Sequence, residues 1–217
     1  MPASDPIARQ LAAGCAALGL APTAAQGAAL ADYTARVLHW GRRMNLTGVG
    51  DPAAFVSGHV LDALAALPHL RAAPGQHWAD VGSGSGVPGI PLAILSPEAR
   101  WTLVEPREKR WAFLLDTIHR LKLANVTVLR ARIDAAPIPD ASQDGVVSRA
   151  LGSPTLAAHR WLRPGGMIAL YAGADPARWN AEAARLPLRP LPVVALTVPG
   201  VMAPRHLVRF EKVGEEG

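Results

Sequence analysis

The stretch Asp80-Val81-Gly82-Ser83-Gly84-Ser85-Gly86-Val87-Pro88-Gly89-Ile90-Pro91-Leu92 decides how the rest of the chain is read. It follows the short apolar run His77–Val81 and leads into a second, Gly89–Leu95. That order reads as strand, glycine loop and helix. Glycines let a backbone turn sharply and let a ligand approach its amides. Gly84-x-Gly86-x-x-Gly89 satisfies a dinucleotide fingerprint, although the same spacing suits a tight turn that holds nothing. Asp80, two residues before the first glycine, argues against a pyrophosphate. A carboxylate there suits a ligand with an amino group or a sulfonium.

Beyond the loop the alternation repeats. Trp101–Val104 reads as a second strand and Glu108–Leu121 as a helix, with Trp111, Leu114, Leu115, Ile118 and Leu121 on its apolar side. Val126–Leu129 and Gly145–Ser148 are the third and fourth strands, with Pro137 and Pro139 in the loop between them. Leu156–Leu162 reads as helix, Arg163–Gly166 as a turn and Met167–Tyr171 as a fifth strand. Leu191–Val198 and His206–Phe210 form a closing hairpin around Pro199-Gly200. This pattern predicts an α/β fold: a mostly parallel sheet with helices on both faces and a C-terminal antiparallel hairpin. Before Pro74-Gly75 the chain is helical. Ala29, Tyr33, Val37, Trp40 and Met44 fall on one helical face. Asp51-Pro52 opens another helix as N-cap and first residue, burying Val56, Val60, Leu64 and Leu67 before Pro68. Between them, residues 42–48 are too polar and glycine-punctuated for core. The expected organisation is a helical extension over residues 1–74 packed on a ligand-binding domain over 75–217.

The chain has 217 residues, half of them hydrophobic, and a mean hydropathy of +0.16, which is enough apolar material to bury a core and excludes general disorder. No run approaches the ~18 apolar residues of a membrane span. Met1–Leu20 is Ala-rich but interrupted by Asp5, Arg9 and Gln10, so it lacks the layout of a signal peptide. Cys15 is the single cysteine, and no Cys/His cluster has metal-ligand spacing. The expectation is a cytoplasmic, metal-free protein with no membrane association. The net charge is +5, and only Lys109, Lys122 and Lys212 are lysines. Between Gly145 and Arg209 there are eight arginines against Asp175 and Glu182. Arginine suits phosphates and base edges, while an arginine-rich composition also serves plain solubility.

Two more acidic positions belong with Asp80. Glu105, 25 residues later, ends the second strand, where a carboxylate can accept from both hydroxyls of a ribose. Arg132-Ile133-Asp134 follows the third strand and offers an apolar side chain to lie on a purine and a carboxylate for an exocyclic amine. Acid at three successive strand ends, on one edge of a parallel sheet, resembles the Rossmann-like class I S-adenosylmethionine-dependent methyltransferases. Trp40-x-x-x-x-Asn45-Leu46-Thr47, Asp51-Pro52, His59-Val60-Leu61-Asp62, the Asp80–Leu92 loop, Glu105-x-x-x-Lys109-Arg110, Ser148-Arg149-Ala150 and Arg205-His206-Leu207-Val208 occur in that order. Together they resemble the small-subunit ribosomal RNA methyltransferase G family, also called glucose-inhibited division protein B. The Val-Pro-Gly-Ile-Pro extension is the most specific element.

The resemblance implies methyl transfer from S-adenosylmethionine to N7 of one guanine in 16S ribosomal RNA. It places cofactor contacts on Gly82, Val87, Ile133, Asp134 and Arg149, beside Asp80, Gly84 and Glu105 from the residues themselves. Where the family often has Lys-Gly after the fifth strand, this chain has Ala172-Gly173. Guanine N7 carries a lone pair and no proton, so the reaction needs alignment and no general base. Arg149 is the expected catalytic residue, bridging cofactor and substrate, with a structural salt bridge as the other reading. Arg42, Arg43, Asn45, His59, Lys109, Arg110, Arg205 and His206 are candidate RNA contacts. Asn45 could equally cap a turn, and His59, near Asp62, could be a packing residue. A methyltransferase of small molecules and a non-catalytic RNA-binding protein are the competing functions, and a monomer is the expected state.

Overall fold

Asp5 caps the first helix, α1 (Pro6–Ala17), by accepting from the Ile7 amide at 3.0 Å. Thr23 and Gln26 form a reciprocal capping box at the start of α2 (Ala24–Met44). The computed structural model describes residues 5–44, 46–149 and 151–214, without the side chain of Arg42. As expected, Asp51 caps α3 (Pro52–Phe55), accepting from Ala54 N–H at 2.6 Å. The helix that follows is not uniform. Val56–Leu61 is a π segment, Asp62–Ala65 is α4, and Leu67–His69 is a 3-10 turn. The wide turn of the π segment carries Gly58 and His59. Helix α2 runs to Met44, the last residue of its apolar face, and one expectation needs correction: Leu46, within the stretch 42–48 read as too polar for core, is buried.

The sheet is built from β1 (His77–Val81), β2 (Arg100–Val104), β3 (Val126–Leu129), β4 (Gln143–Ser148), β5 (Leu162–Ala172), β6 (Leu188–Pro190), β7 (Val194–Ala195) and β8 (His206–Lys212). Its order is β3-β2-β1-β4-β5-β8-β6, with β7 also on β8. The first five strands are parallel neighbours, and β8 runs antiparallel to β5, β6 and β7. The closing element is therefore wider than a simple hairpin, since β8 pairs with two short strands as well as with β5. β5 starts earlier than its apolar run, because Arg163–Gly166 stays in the strand. The segment expected to be helical before it is a 3-10 helix, Ser153–Trp161.

Side chains alternate across the sheet as the strand period requires. On one face Trp78, Trp101, Leu103, Val147 and Ala169 join α5 (Gly89–Leu95) and α6 (Glu108–Arg120). On the other, Ala79, Val81, Val146, Ile168 and Phe210 pack with Trp161 and α7 (Asn180–Ala183). The first core also takes in Leu11, Cys15, Leu30, Tyr33, Val37, Leu46 and Phe55. The N-terminal helices and one face of the sheet therefore share a single core. Polar ties reinforce it: the Tyr33 hydroxyl donates to Ser85 O at 3.0 Å, and the Tyr171 hydroxyl donates to Ala63 O at 2.8 Å. Among the described residues, no helix is long and apolar enough to cross a membrane.

Candidate active site

The glycine loop sits at the C-terminal edge of β1, where a ligand is expected in an open parallel sheet. Gly82, Gly84 and Gly86 all have positive φ, at +74°, +58° and +97°. A side chain is strained at each of these positions, and a Cβ on Gly86 would lie 2.5 Å from Ile90. Two carboxylates brace the loop from within. Asp80 is fully buried, and its Oδ2 accepts from Gly89 N–H at 3.0 Å. Only glycine allows that bond, since a Cβ at Gly89 would come within 2.7 Å of the same oxygen. Asp80 Oδ1 is buried without a hydrogen-bond partner, and burial pushes the carboxyl up to about 7. Glu105 accepts from Gly84 N–H through Oε2 and from Arg107 N–H through Oε1, both at 2.9 Å. The two acids expected to face a ligand thus lie beneath the loop and fix its shape.

Two cavities meet at Gly82. One, of about 360 Å³, is the more polar of the two and is lined by Leu46, Thr47, His59, Ser83, Gly84, Ser85, Val87, Arg110 and Arg149. The other, of about 240 Å³, is mainly apolar, between Val81, Val104, Pro106, Ala131, Ile133 and Leu151. Ile133 is therefore where a flat apolar ring could rest. The Asp134 carboxylate beside it is solvent-facing and pairs with Arg132 at 3.3 Å.

Arg149, directly after β4, reaches the polar cavity and the N-terminal helices together. Its Nη2 donates to Gly58 O at 2.5 Å and lies 3.2 Å from Asp62 Oδ2. Its Nη1 lies 3.1 Å from His59 Nδ1. Asp62, 1 % exposed, is also 3.3 Å from Nε of Arg205, so one buried carboxylate lies between two arginines. Burial raises the Asp62 carboxyl and the arginines oppose the rise. His59 stacks on buried Phe55 with ring centroids 4.8 Å apart. Burial, Arg149 and Arg205 lower its pKa to about 4, so its ring is neutral near pH 7. Arg149 thus lines the cleft and makes a salt bridge to Asp62.

The remaining candidates are dispersed. Lys109 is exposed at the start of α6, while its neighbour Arg110 lines the polar cavity. Arg43 is exposed over the Trp40 ring. His206 Nδ1 lies 2.7 Å from Gly173 O, and Arg205 points inward to Asp62, so both are tied to the protein interior. Asn45 and the side chain of Arg42 lie outside the described residues. Asp62, paired with His59 in the sequence, faces inward to Arg149 and Arg205, and Tyr33 and Leu151 carry no sequence signal for the site. Their positions arise from tertiary contacts that no local spacing encodes.

A family model described as rRNA small subunit methyltransferase G matches residues 26–208. The chain is 41 % identical over 203 residues to the ribosomal RNA small subunit methyltransferase G of Pseudomonas paraeruginosa, covering 93 % of this chain and 94 % of that one. The chain belongs to the rRNA small subunit methyltransferase G family. The namesake protein of Nitrosospira multiformis is 39 % identical over 220 residues, covering 96 % and 99 %. Among solved structures, a SAM dependent methyltransferase from Aquifex aeolicus superposes with a TM-score of 0.61 at 19 % identity, covering 75 % of this chain and 94 % of that one. A geranyl diphosphate C-methyltransferase from Streptomyces coelicolor gives 0.54 at 16 %, covering 70 % and 78 %. These two establish the fold, a Rossmann-like methyltransferase sheet. The enzyme is an S-adenosylmethionine-dependent methyltransferase. Its residues fit that cofactor: the positive-φ loop separates a polar cavity, suited to a zwitterionic amino-acid head, from an apolar one suited to adenine.

Proposed function

We propose that this enzyme methylates N7 of a guanine in 16S ribosomal RNA, acting in the cytoplasm as a monomer on the small ribosomal subunit or its precursor. The observation that carries this reading is the chemistry of the polar cavity. Its described lining includes Arg110, Arg149 and a neutral His59 but no carboxylate, so it offers donors and cations and no strong base. A nucleophile that must first lose a proton is poorly served there, and guanine N7 has none to lose.

When bound, S-adenosylmethionine supplies an electrophilic methyl on a sulfonium. The chain does the rest by placement. Gly82, Gly84 and Val87 shape the wall against which the cofactor lies, Ile133 supports its adenine, and Glu105, once its loop contacts adjust, is placed for the ribose. Asp80 lies under the loop, where a bound cationic ligand favours its ionised form. Arg149, held from behind by Gly58 O, His59 and Asp62, presents its guanidinium to the cleft, where it contacts the cofactor carboxylate or the base. Arg110 on the cleft wall and the exposed Arg43 and Lys109 supply phosphate contacts.

The test is direct. Purified enzyme, labelled S-adenosylmethionine and either small subunits or deproteinised 16S RNA are incubated, and the RNA is digested to nucleosides. Label confined to N7-methylguanosine supports the reading. Label in another nucleoside, or none with both substrates, contradicts it.

A further inference from the structure

His59 is more constrained than a packing histidine needs to be. A guanidinium has only N–H groups to give. The 3.1 Å contact between Arg149 Nη1 and His59 Nδ1 therefore makes Nδ1 an acceptor. In a neutral imidazole that puts the hydrogen on Nε2. The ring plane is held by its stack on Phe55, 16° from parallel, and the backbone is held in the π segment whose Gly58 carbonyl also accepts from Arg149. Nε2 has no hydrogen-bond partner among the described residues, is not among the buried unpartnered atoms, and belongs to a ring that lines the polar cavity beside Gly82–Ser85.

We infer that His59 reads position 6 of the acceptor purine: fixed by Arg149 as the Nε2–H tautomer, it offers the cleft one donor and no acceptor, which fits guanine O6 and rejects an amino group. The inference rests on the guanine-N7 reading above and deepens it. Guanine and adenine both expose N7 as an acceptor, and in that groove they differ at position 6, a carbonyl against an amino donor. A donor fixed at this point distinguishes them where a rotatable hydroxyl or amide does not. The neutral ring brings a second advantage. Methylation leaves positive charge on the base, and a histidine cation beside O6 oppose its development. With a pKa near 4 the ring stays uncharged at working pH, so it donates without repelling the product.

Reconstituted small subunits carrying guanosine, inosine or 2,6-diaminopurine riboside at the modified position separate the possibilities. Inosine keeps O6 and lacks the 2-amino group, while diaminopurine keeps that group and replaces O6 with an amine. In single-turnover assays the wild-type enzyme methylates guanosine and inosine at similar rates, and diaminopurine about 100-fold more slowly. His59→Phe, which keeps the ring stack, narrows that ratio to below about tenfold by slowing the carbonyl purines. His59→Gln, with an amide N–H near the Nε2 position, restores part of it. Calorimetric binding of S-adenosylmethionine shows that each variant retains its cofactor site. A His59→Phe enzyme that binds cofactor and keeps the full ratio overturns the inference. So does a wild-type enzyme that accepts diaminopurine as readily as inosine, whether or not either variant folds. A wild-type enzyme that forms no N7-methylguanosine fails the underlying reading, and this inference with it.

Discussion

Replacing Arg149 with lysine keeps the charge and removes the fork. The arginine makes three contacts, to Gly58 O at 2.5 Å, His59 Nδ1 at 3.1 Å and Asp62 Oδ2 at 3.2 Å, all on the segment from 58 to 62. One ammonium cannot reach all three, and hydrogen bonds to charged groups contribute roughly 1.5–3 kcal/mol each. Arg205 stays beside Asp62 and limits the penalty on the buried carboxylate. The net loss of stability is about 2 kcal/mol, or roughly 4–8 °C in melting temperature for a chain of this size. Viewed as a cleft arginine alone, the residue should leave melting almost unchanged; its bond to a buried carboxylate reverses that expectation. If the guanidinium also contacts the reacting complex, turnover falls about 100-fold, equivalent to ~2.7 kcal/mol. The assay is a single-turnover methylation rate and a thermal melt on one preparation. Asp62→Asn is the companion variant: it weakens the same ion pairs from outside the cleft and should lower melting with less than a tenfold loss of rate. A lysine variant with the wild-type rate refutes a catalytic role for Arg149. A lysine variant with unchanged melting refutes the network account.

The other predictions are narrower. Asp80 has a folded pKa of about 7 against an ordinary 3.8, so the folded protein keeps a proton that the unfolded chain has lost; its contribution is complete below pH 3.8 and disappears as pH rises to about 7. Ligand-free Asp80→Asn should therefore gain stability relative to wild type across that window, and parallel melting curves from pH 4 to 7.5 refute this. Tyr33→Phe removes the donor to Ser85 O in the glycine loop and should cost about 1 kcal/mol of stability and raise the KM for S-adenosylmethionine severalfold with kcat nearly unchanged; an equal fall in kcat contradicts a role confined to the loop. Removing residues 1–50 takes Leu11, Leu30, Tyr33, Val37 and Leu46 from the shared core, so the fragment should lose cooperative melting by circular dichroism; a sharp melt near that of the full chain shows that the helices are dispensable.

The central strands were legible because each is an apolar run closed by a turn signal: the bounds of β1 and β3 agree with the sequence reading, as do those of α5. The π segment was hidden because Val56-Ser57-Gly58-His59-Val60-Leu61 keeps its apolar spacing whether the turn is α or π. The 3-10 helix at Ser153–Trp161 reads as an ordinary helix, since so short an apolar pattern does not distinguish steps of three from steps of four. For the site, the loop and Arg149 were readable as motifs, whereas the direction in which a carboxylate points was not. Asp80 and Glu105 follow from the loop's need for acceptors for the amides of Gly89 and Gly84. The bridge from Asp62 to Arg149 and Arg205 joins segments 87 and 143 residues apart, beyond any local pattern.

Methylation of N7 of one guanine in 16S ribosomal RNA, as proposed for this chain, is tested by borohydride and aniline cleavage, which cuts RNA at N7-methylguanosine. Small-subunit RNA is compared from cells with the gene, without it, and with the gene restored as wild type or as Arg149→Lys. One cleavage should disappear with the gene, return with the wild-type copy and return weakly with the lysine variant. A cleavage pattern that is the same in all four strains contradicts it.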